Sequence, residues 1–461
     1  MLVRSVIKCF CKCHPSFVRC YTNRNILFLR ERGMFEDIFP DNGASSMTDI
    51  LNAKPQCVYA GFDPTAKSLH VGNLLVLLNL LHWQRGGHQV IALVGGATGR
   101  IGDPSGRSKE REEQSSNVIQ DNLEAITRNI QRVFKNHEDI FWKKKEEEPL
   151  LPVKVVNNET WYKDLNSLDF ICGIGRHFRM GIMLNRTAVA TRLKSDVGLS
   201  YTEFSYQIFQ AYDWYQLFNK YDCRFQIGGS DQMGNIHSGH DYIGKFSKKD
   251  VFGLTLPLIT TEKGEKFGKS AGNAIWLDPE LTSPFELYQF FIRTADADVE
   301  KLLKLFTFRS VPSIQDLCKK HMNKPELRQA QKILAEDVTL LVHGEAGLES
   351  AKTTTAALYD SSIEQLGKLT AQDMVKLFKG ARVLDLILRA DLTIQDLAME
   401  AKCFGTTGIA QTIISAGGFY INQKRVTNPS EMVSKSVHIL PNNISLLRVG
   451  KKSYFIIRWA T

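Results

Sequence analysis

No stretch of the sequence approaches the roughly 20 consecutive apolar residues that a membrane-spanning helix requires. The nine cysteines are not paired at the C-x₂-C spacing of common zinc sites. Four of them stand in the first 20 residues, and the other five are scattered in mostly apolar surroundings, as reduced core cysteines are: Cys57, Cys172, Cys223, Cys318 and Cys403. We therefore expect no membrane partner and no metal site.

Acidic residues are missing from residues 1–30, which carry six Lys or Arg residues. Arg4, Lys8 and Lys12 recur every four residues among apolar side chains, a spacing that permits a basic amphipathic helix. Such a segment is typical of a mitochondrial transit peptide, although a disordered basic arm has the same composition. We expect residues 1–30 to be removed and the mature protein to reside in the mitochondrial matrix.

The whole chain, with 43% apolar and 23% charged residues, has the composition of a soluble globular protein with two or three domains. The basic charge is concentrated again at the C-terminal end, where residues 379–461 hold 11 basic and 5 acidic residues. A surface that binds nucleic acid is therefore expected at that end.

Glycine-rich loops that suit phosphates are missing beyond residue 278 and are concentrated in residues 58–111. Two short apolar segments, 58–62 and 90–94, predict buried strands, and the leucine-rich segment 69–83 between them predicts a helix. Several glycines lie at the strand ends and the helix start, where backbone amides can approach an anion: Gly61, Gly72, Gly95, Gly96, Gly99, Gly102 and Gly106. Glycine richness alone is equally compatible with ordinary turns.

A second polar feature lies on an otherwise apolar helix. Ser200 and Glu203 form an S-x-x-E pattern that predicts a capping box and a helix running to about residue 220. Tyr206, Gln210 and Asp213 then fall on one face of that helix. Such a stripe is either a solvated edge or the wall of a polar pocket, and the GGSDQ sequence that ends at Gln232 favours the pocket.

Several motifs carry a family resemblance. HVGN at residues 70–73 and KFGKS at residues 266–270 are similar to the HIGH and KMSKS signatures of class I aminoacyl-tRNA synthetases. Together with YAGFDPT, GDPSG, Y-x₃-Q-x₂-D and GGSDQ in the same order, they resemble the bacterial-type tyrosyl-tRNA synthetases of bacteria and mitochondria. The resemblance covers about residues 35–461.

The resemblance implies an α/β fold with a Rossmann-like parallel sheet in the catalytic domain, residues 31–278. Residues 157–200 would be an insertion that forms a homodimer interface. A helical domain that contacts tRNA would occupy residues 279–380, and an α+β RNA-binding module of the alpha-L type would occupy residues 381–461.

The resemblance also implies an activity and its residues. The protein would activate tyrosine with ATP and Mg²⁺, without a tightly bound cofactor, and transfer the tyrosyl group to tRNA(Tyr). Residues that act on the departing phosphates would be His70, Thr65, Lys266, Lys269, Arg107 and Arg111. Tyrosine would be bound by Tyr59, Asp103, Tyr206, Gln210, Asp213 and Gln232. ATP would be bound by Gly61, Asp63, His70, Gly72, Asn73, Gly229, Asp231 and Lys269.

Three positions depart from the family pattern, namely Ala60, Asn73 and Met233. Asn73 replaces the second histidine of HIGH, which weakens a ribose contact, although an asparagine can also donate a hydrogen bond. Two other functions remain open from the residues. A tryptophanyl-tRNA synthetase would share fold and reaction, but Tyr59 and Asp213 suit a substrate with a hydroxyl. An RNA scaffold protein would not need the signature lysines.

Overall fold

The computed structural model describes residues 24–107, 110–143, 149–259, 269–270, 273–359, 366–367, 374, 381–450 and 453–460. Within these ranges no helix is long and apolar enough to cross a membrane. The chain divides into two compact units, of which the first comprises Met1–Thr282 and Gln289–Gly344, and the second Ser283–Tyr288 and Glu345–Thr461. The predicted domain boundaries at residues 278 and 380 do not coincide with this division and stay predictions.

The first unit is built on a six-stranded sheet with the order β1-β6-β5-β2-β3-β4. Neighbouring strands from β6 to β4 are parallel, and β1 pairs antiparallel with β6 at the edge. The strands are β1 Ile38–Phe39, β2 Cys57–Phe62, β3 Gln89–Val94, β4 Lys154–Asn157, β5 Cys223–Gly229 and β6 Phe252–Leu256. The direction of strand order reverses between β2 and β5, where ligands bind in open parallel sheets of this kind. The predicted Rossmann-like sheet is confirmed.

Helices join and cover these strands. The helix between β2 and β3 is almost entirely buried, which explains why its leucines occupy every face rather than one stripe. The helices from residue 44 to residue 244 are α1 Ala44–Ala53, α2 Val71–Arg85, α3 Ser116–Asn136, α4 Glu159–Tyr162, α5 Met180–Leu184, α6 Thr187–Leu193, α7 Tyr201–Tyr221 and α8 Met233–Gly244. A π-helical segment, His137–Trp142, prolongs α3.

The predicted capping box at the start of α7 is half right. The Ser200 hydroxyl accepts a hydrogen bond from the backbone N–H of Glu203, at 3.2 Å, as expected of an N-cap. The Glu203 carboxylate does not return to the cap, because it accepts two hydrogen bonds from the Arg192 guanidinium at 2.9 and 2.7 Å. Both side chains are buried, so the ion pair joins α6 to α7 inside the protein.

Three further helices complete the first unit beside the N-terminal segment: α10 Asp296–Phe306, α11 Val311–Asn323 and the first part of α12 Gln329–Tyr359. Another helix, α9 Pro284–Ile292, precedes them. The N-terminal 3₁₀ helix Ile26–Arg32 ends in Arg32, which is only 4% exposed and donates hydrogen bonds to backbone carbonyls at the end of α10 and just beyond it. Helix α12 is kinked at Gly344, whose φ of 72° favours glycine.

The second unit contains its own five-stranded sheet, in the order β11-β10-β12-β13-β9. Its strands are β9 Arg382–Ile387, β10 Phe419–Ile421, β11 Lys424–Val426, β12 Ile444–Val449 and β13 Ser453–Ala460, and its short helices are α13 Ile394–Glu400, α14 Thr407–Ser415 and α15 Lys435–His438. Apolar side chains from the two helices α13 and α14 and from the sheet form one core. A separate two-stranded ribbon in the first unit consists of β7 Lys269–Ser270, the last two residues of the KFGKS signature, and β8 Asn273–Ala274.

Candidate active site

A polar pocket lies where the strand order reverses. Tyr59 comes from the middle of β2 and Asp213 from α7, which leads into β5. Both side chains are buried, with 1% and 2% of their surfaces exposed. The Tyr59 hydroxyl has no hydrogen-bond partner within the described part of the chain. Since a buried hydroxyl without a partner is costly, this group is suited to a ligand that supplies one.

Asp213 is surrounded by neutral donors. Its Oδ1 atom accepts hydrogen bonds from the Trp161 indole and the Tyr162 hydroxyl, both at 2.8 Å. Its Oδ2 atom accepts one from the Asn158 amide at 2.9 Å. Burial raises the pKa of Asp213 to about 7, against the effect of these three hydrogen bonds. A carboxylate accepts about four hydrogen bonds, so an acceptor position on Oδ2 remains for a ligand.

A second carboxylate, the partly buried Asp63, lies just beyond β2. It accepts hydrogen bonds from the Thr98 hydroxyl at 2.7 Å and from the Tyr206 hydroxyl at 2.8 Å. Burial raises its pKa. A Cβ atom at Gly95 would lie 2.1 Å from Asp63 Oδ1 and 2.2 Å from Thr98 Oγ1, so only glycine permits this contact. Tyr206, predicted to contact a substrate ammonium, is thus bonded to Asp63 rather than to Asp103.

Asp103 and Gln232 are brought together as predicted for one pocket. Gln232 Nε2 donates to Asp103 Oδ2 at 2.6 Å, and its Oε1 accepts from the Asn235 amide at 3.1 Å. The other Asp103 oxygen accepts from the backbone N–H of Ser105 at 2.9 Å. Gln210 is partly buried one turn beyond Tyr206 and has no side-chain hydrogen bond among the described residues.

The HVGN signature forms the N-terminus of α2. His70 Nδ1 accepts from the backbone N–H of Gly72 at 3.0 Å, and Asn73 Oδ1 accepts from the backbone N–H of His70 at 3.1 Å. Both halves of a capping box are therefore present. Because Nδ1 accepts, Nε2 carries the proton of a neutral His70 ring and can donate it. Asn73, which departs from the family pattern, here acts as a cap.

Cationic side chains adjoin the same pocket. Burial and the neighbouring Arg111 lower the pKa of Arg107. Arg111 has its Nε and Nη1 atoms buried without a hydrogen-bond partner within the described ranges. Asp231 lies next to this loop, since its Oδ2 would be 2.9 Å from a Cβ atom at Gly106. Two guanidinium groups this close repel each other, and an anion would relieve that repulsion.

The remaining predicted residues are less constrained. Thr65 donates its backbone N–H to the carbonyl of Asp63 at 2.8 Å, which places it just beyond the carboxyl end of β2. At Gly61 an added Cβ atom would meet nothing within 4 Å, whereas at Gly229 it would lie 2.7 Å from Asp231 Oδ1. Lys266 and the Lys269 side chain lie outside the described residues, so their predicted roles stay predictions.

Sequence reasoning missed the donors to Asp213 and Asp63, namely Asn158, Trp161, Tyr162 and Thr98. A signal was available for three of them. Asn158, Trp161 and Tyr162 follow strand β4 of a parallel sheet, and side chains just beyond the carboxyl ends of such strands line the ligand crevice.

The sequence of this chain matches a family of tRNA synthetases. Residues 51–360 match the family described as tRNA synthetases class I (W and Y), which is more than half of the chain. The chain therefore belongs to that family, and the resemblance drawn from its motifs is confirmed.

Similar proteins narrow the comparison. The chain is 55% identical over 443 residues to the mitochondrial tyrosine–tRNA ligase of Drosophila melanogaster, covering 96% of each chain. It is 46% identical to the mitochondrial tyrosine–tRNA ligase of Homo sapiens, covering 93% of this chain and 91% of that relative. A C-terminally truncated mitochondrial tyrosyl-tRNA synthetase of Aspergillus nidulans superposes with a TM-score of 0.66 at 34% identity, covering 73% of this chain and 94% of that one.

Proposed function

We propose that the chain is a mitochondrial tyrosine–tRNA ligase. Its family and its relatives support this function, and one observation in the structure supports the substrate. The buried Tyr59 hydroxyl lacks a hydrogen-bond partner among the residues that the structure describes, while the buried Asp213 keeps an acceptor position. A phenol fits both, because its hydroxyl donates to Asp213 and accepts from Tyr59. Tryptophan offers a donor only, and phenylalanine offers neither.

The tyrosine ammonium and carboxylate would lie nearer the mouth of the pocket. Asp103 supplies a carboxylate, and Gln210 and Gln232 supply neutral groups, which together suit an ammonium next to a carboxylate. Tyr206 would act through its hydrogen bond to Asp63, at 2.8 Å, as well as by direct contact. Asp63 in turn would shape the boundary between the amino acid and the nucleotide.

The first chemical step joins the tyrosine carboxylate to the α-phosphate of ATP and releases pyrophosphate. No covalent enzyme nucleophile is needed, since positioning and charge stabilisation lower the barrier. We assign this stabilisation to Arg107 and Arg111, to Lys266 and Lys269, and to His70 with Thr65. Mg²⁺ would arrive with the ATP substrate and be held mainly by its phosphates.

ATP itself would lie over β2 and the start of α2. Gly61 supports this placement, because the described part of the chain gives no steric reason for a glycine there, whereas a ribose or phosphate passing over β2 does. Gly72 and Asn73 lie at the amino end of α2, where backbone N–H groups attract anions. Gly229 and Asp231 would contact the ribose.

The second step passes the tyrosyl group to a hydroxyl of the terminal ribose of tRNA(Tyr). We assign tRNA binding to the second unit as an alpha-L type module, because its strands β10 to β12 carry Lys424 and Arg448 and because residues 379–461 are strongly basic. The insertion at residues 157–200 exposes several large apolar side chains, which supports its assignment as the interface of a homodimer: Leu168, Ile171, Met180, Ile182, Leu184, Leu193 and Val197.

A mitochondrial location implies removal of the basic N-terminal segment. The structure favours cleavage before Arg24 rather than near residue 30. His88 Nδ1 accepts a hydrogen bond from Gln56, so its Nε2–H donates to the Arg24 carbonyl at 2.7 Å. Ile26 and Leu29 are buried. N-terminal sequencing of the protein from purified mitochondrial matrix tests this proposal, and a mature chain that begins after Leu29 would contradict it.

The proposed activity is tested by amino-acid-dependent ATP–pyrophosphate exchange. We expect exchange with tyrosine, and far less with tryptophan or without an amino acid. Exchange with tryptophan alone would reassign the substrate, and no exchange with either would favour an RNA scaffold. Charging of tRNA(Tyr) by the full chain tests the second step separately.

A further inference from the structure

We propose that Tyr162 is a specificity-determining residue that acts through Asp213, holding this carboxylate in the form and orientation that accept the substrate hydroxyl. The inference rests on the proposed function and extends it to a side chain that would not touch the substrate. Tyr162 is thus a positioning residue rather than a catalytic one.

The geometry places Tyr162 against one oxygen of Asp213. Its hydroxyl has one proton, which it donates to Asp213 Oδ1 at 2.8 Å, the nearer of two acceptors. The other acceptor is the carbonyl oxygen of Phe209 at 3.0 Å, one helical turn earlier in α7. Since the Trp161 indole N–H also donates to Oδ1, at 2.8 Å, this oxygen is fully occupied. The carboxylate can therefore offer only its Oδ2 atom to a ligand, and its plane cannot rotate without breaking two hydrogen bonds.

The electrostatic surroundings explain why a third donor matters. The titratable groups that act on Asp213 are Tyr59 of β2, Asp63 beyond β2, Tyr162 of α4, and Tyr206 and Tyr212 of α7. None of these is a cation, and among the described residues Asp213 takes part in no ion pair. Neutral donors alone therefore oppose the cost of burying its charge.

The Tyr162 ring itself is held by packing. Its centroid lies 5.2 Å from that of Phe209 and 5.8 Å from that of Tyr212. It also lines a cavity of about 400 Å³ together with Ile101, Leu165 and Phe170. Phenylalanine at this position would keep these contacts, so Tyr162→Phe removes the hydroxyl alone. Tyr215→Phe is the matched control, because Tyr215 lies on α7 and has no hydrogen bond to Asp213.

Without the hydroxyl, Asp213 should be protonated over a wider pH range. Loss of a hydrogen bond to the charged form of a carboxyl group raises its pKa by about one pH unit or more. We therefore expect the acid limb of kcat/KM for tyrosine to move upward by about one pH unit. Near pH 6 the selection of tyrosine over phenylalanine should fall about tenfold, and above about pH 9 it should return to that of the unmodified protein.

The experiment measures ATP–pyrophosphate exchange by the full chain between pH 6 and 9, with tyrosine and with phenylalanine, for both variants. Recovery of selection at high pH by Tyr162→Phe, with Tyr215→Phe unchanged throughout, would support the role. An equal loss at every pH would show a merely structural hydroxyl and overturn it, as would an unchanged profile. Absence of tyrosine-dependent exchange in the unmodified protein would overturn the proposed function together with this inference, so the two failures are distinguishable.

Discussion

Helix α7 carries two buried carboxylates, and the protein stabilises their charges with different kinds of partner. Glu203, in its first turn, is 2% exposed and forms two hydrogen bonds to the guanidinium of Arg192, itself 1% exposed. Asp213, almost three turns later, is equally buried but receives three neutral donors. Glu203 has a full countercharge, whereas only neutral donors stabilise the charge of Asp213.

The difference separates scaffold from site. A buried ion pair with both partners in place has little capacity for a ligand, and its removal harms folding. A buried carboxylate with neutral donors has a raised pKa and a spare acceptor position, and both are properties of functional sites. If this distinction holds, substitutions at the two carboxylates should affect different measurements.

The largest effect on stability is expected for Glu203→Ala. It leaves the Arg192 guanidinium buried without its countercharge, which should lower the free energy of unfolding by about 3 to 5 kcal/mol. Urea denaturation measures this loss. Replacing both partners, with Arg192→Met and Glu203→Leu, should restore most of it and retain the selection of tyrosine over phenylalanine. Stability unchanged in the single variant would contradict a structural role for the pair.

A second scaffold charge, Arg32, is bound by backbone carbonyl oxygens. Its guanidinium donates to the carbonyls of Lys304 and Arg309 at 2.8 and 2.5 Å, and also to that of Thr307. Arg32→Met should therefore cost about 2 to 3 kcal/mol of unfolding free energy, since carbonyls lose charged donors. Arg30→Met, two residues earlier and exposed, is the control. Equal melting temperatures for the two variants would refute the assignment.

The corresponding change at the site is Asp213→Asn. The amide keeps the shape of the carboxylate but removes its charge, so selection of tyrosine over phenylalanine should fall about 10- to 100-fold. Exchange kinetics with the two amino acids measure the ratio. A thermal melt of the same variant checks that the fold persists. Full selection by a folded Asp213→Asn protein would show that the tyrosine hydroxyl is recognised elsewhere.

The sequence predicts the positions of these groups better than their partners. Local signals in the sequence predicted strands β2 and β3, helix α2 and the N-cap at Ser200. These signals are the spacing of apolar residues and the identity of the residues that cap a helix. The stripe of Tyr206, Gln210 and Asp213 followed from helical spacing. The ion pair of Glu203 was not predictable, because S-x-x-E is a local pattern and Arg192 competes for the same carboxylate through tertiary packing.

The same reason limits what the sequence says about the site. Asn158, Trp161 and Tyr162 reach Asp213 only because the fold brings the segment that follows β4 against α7, a matter of topology rather than spacing. The Asn73 departure was expected to weaken a ligand contact, and its role as a helix cap was not foreseen. The roles of the KFGKS lysines rest on the motif alone, since Lys266 and the side chain of Lys269 lie outside the described residues.

The smallest expected effect is on the pH dependence of the unfolding free energy. Buried histidines of the scaffold and Asp213 of the site should contribute to it with opposite sign. Burial lowers the pKa of His82 and His137 well below the usual value, so in the range just below pH 6.5 the unfolded chain binds protons that the folded chain does not. Stability contributed by these histidines is therefore present above about pH 6.5 and is lost as the pH falls. Asp213, with a raised pKa of about 7, contributes in the other direction, because its folded form binds the extra proton.

Replacing a histidine isolates the scaffold contribution. His137 Nε2 lies 3.1 Å from Arg85 Nη1 and accepts its hydrogen bond, so His137→Gln keeps an acceptor while removing the titratable ring. Between pH 5 and 6.5 the unfolding free energy of the unmodified protein should fall by up to about 1.4 kcal/mol more per pH unit than that of the variant. Urea denaturation at several pH values measures both slopes, and Asp213→Asn should change the slope with the opposite sign. Parallel slopes for all three proteins would mean that these buried groups do not titrate on unfolding, and the contrast between scaffold and site would then rest on stability and selection alone.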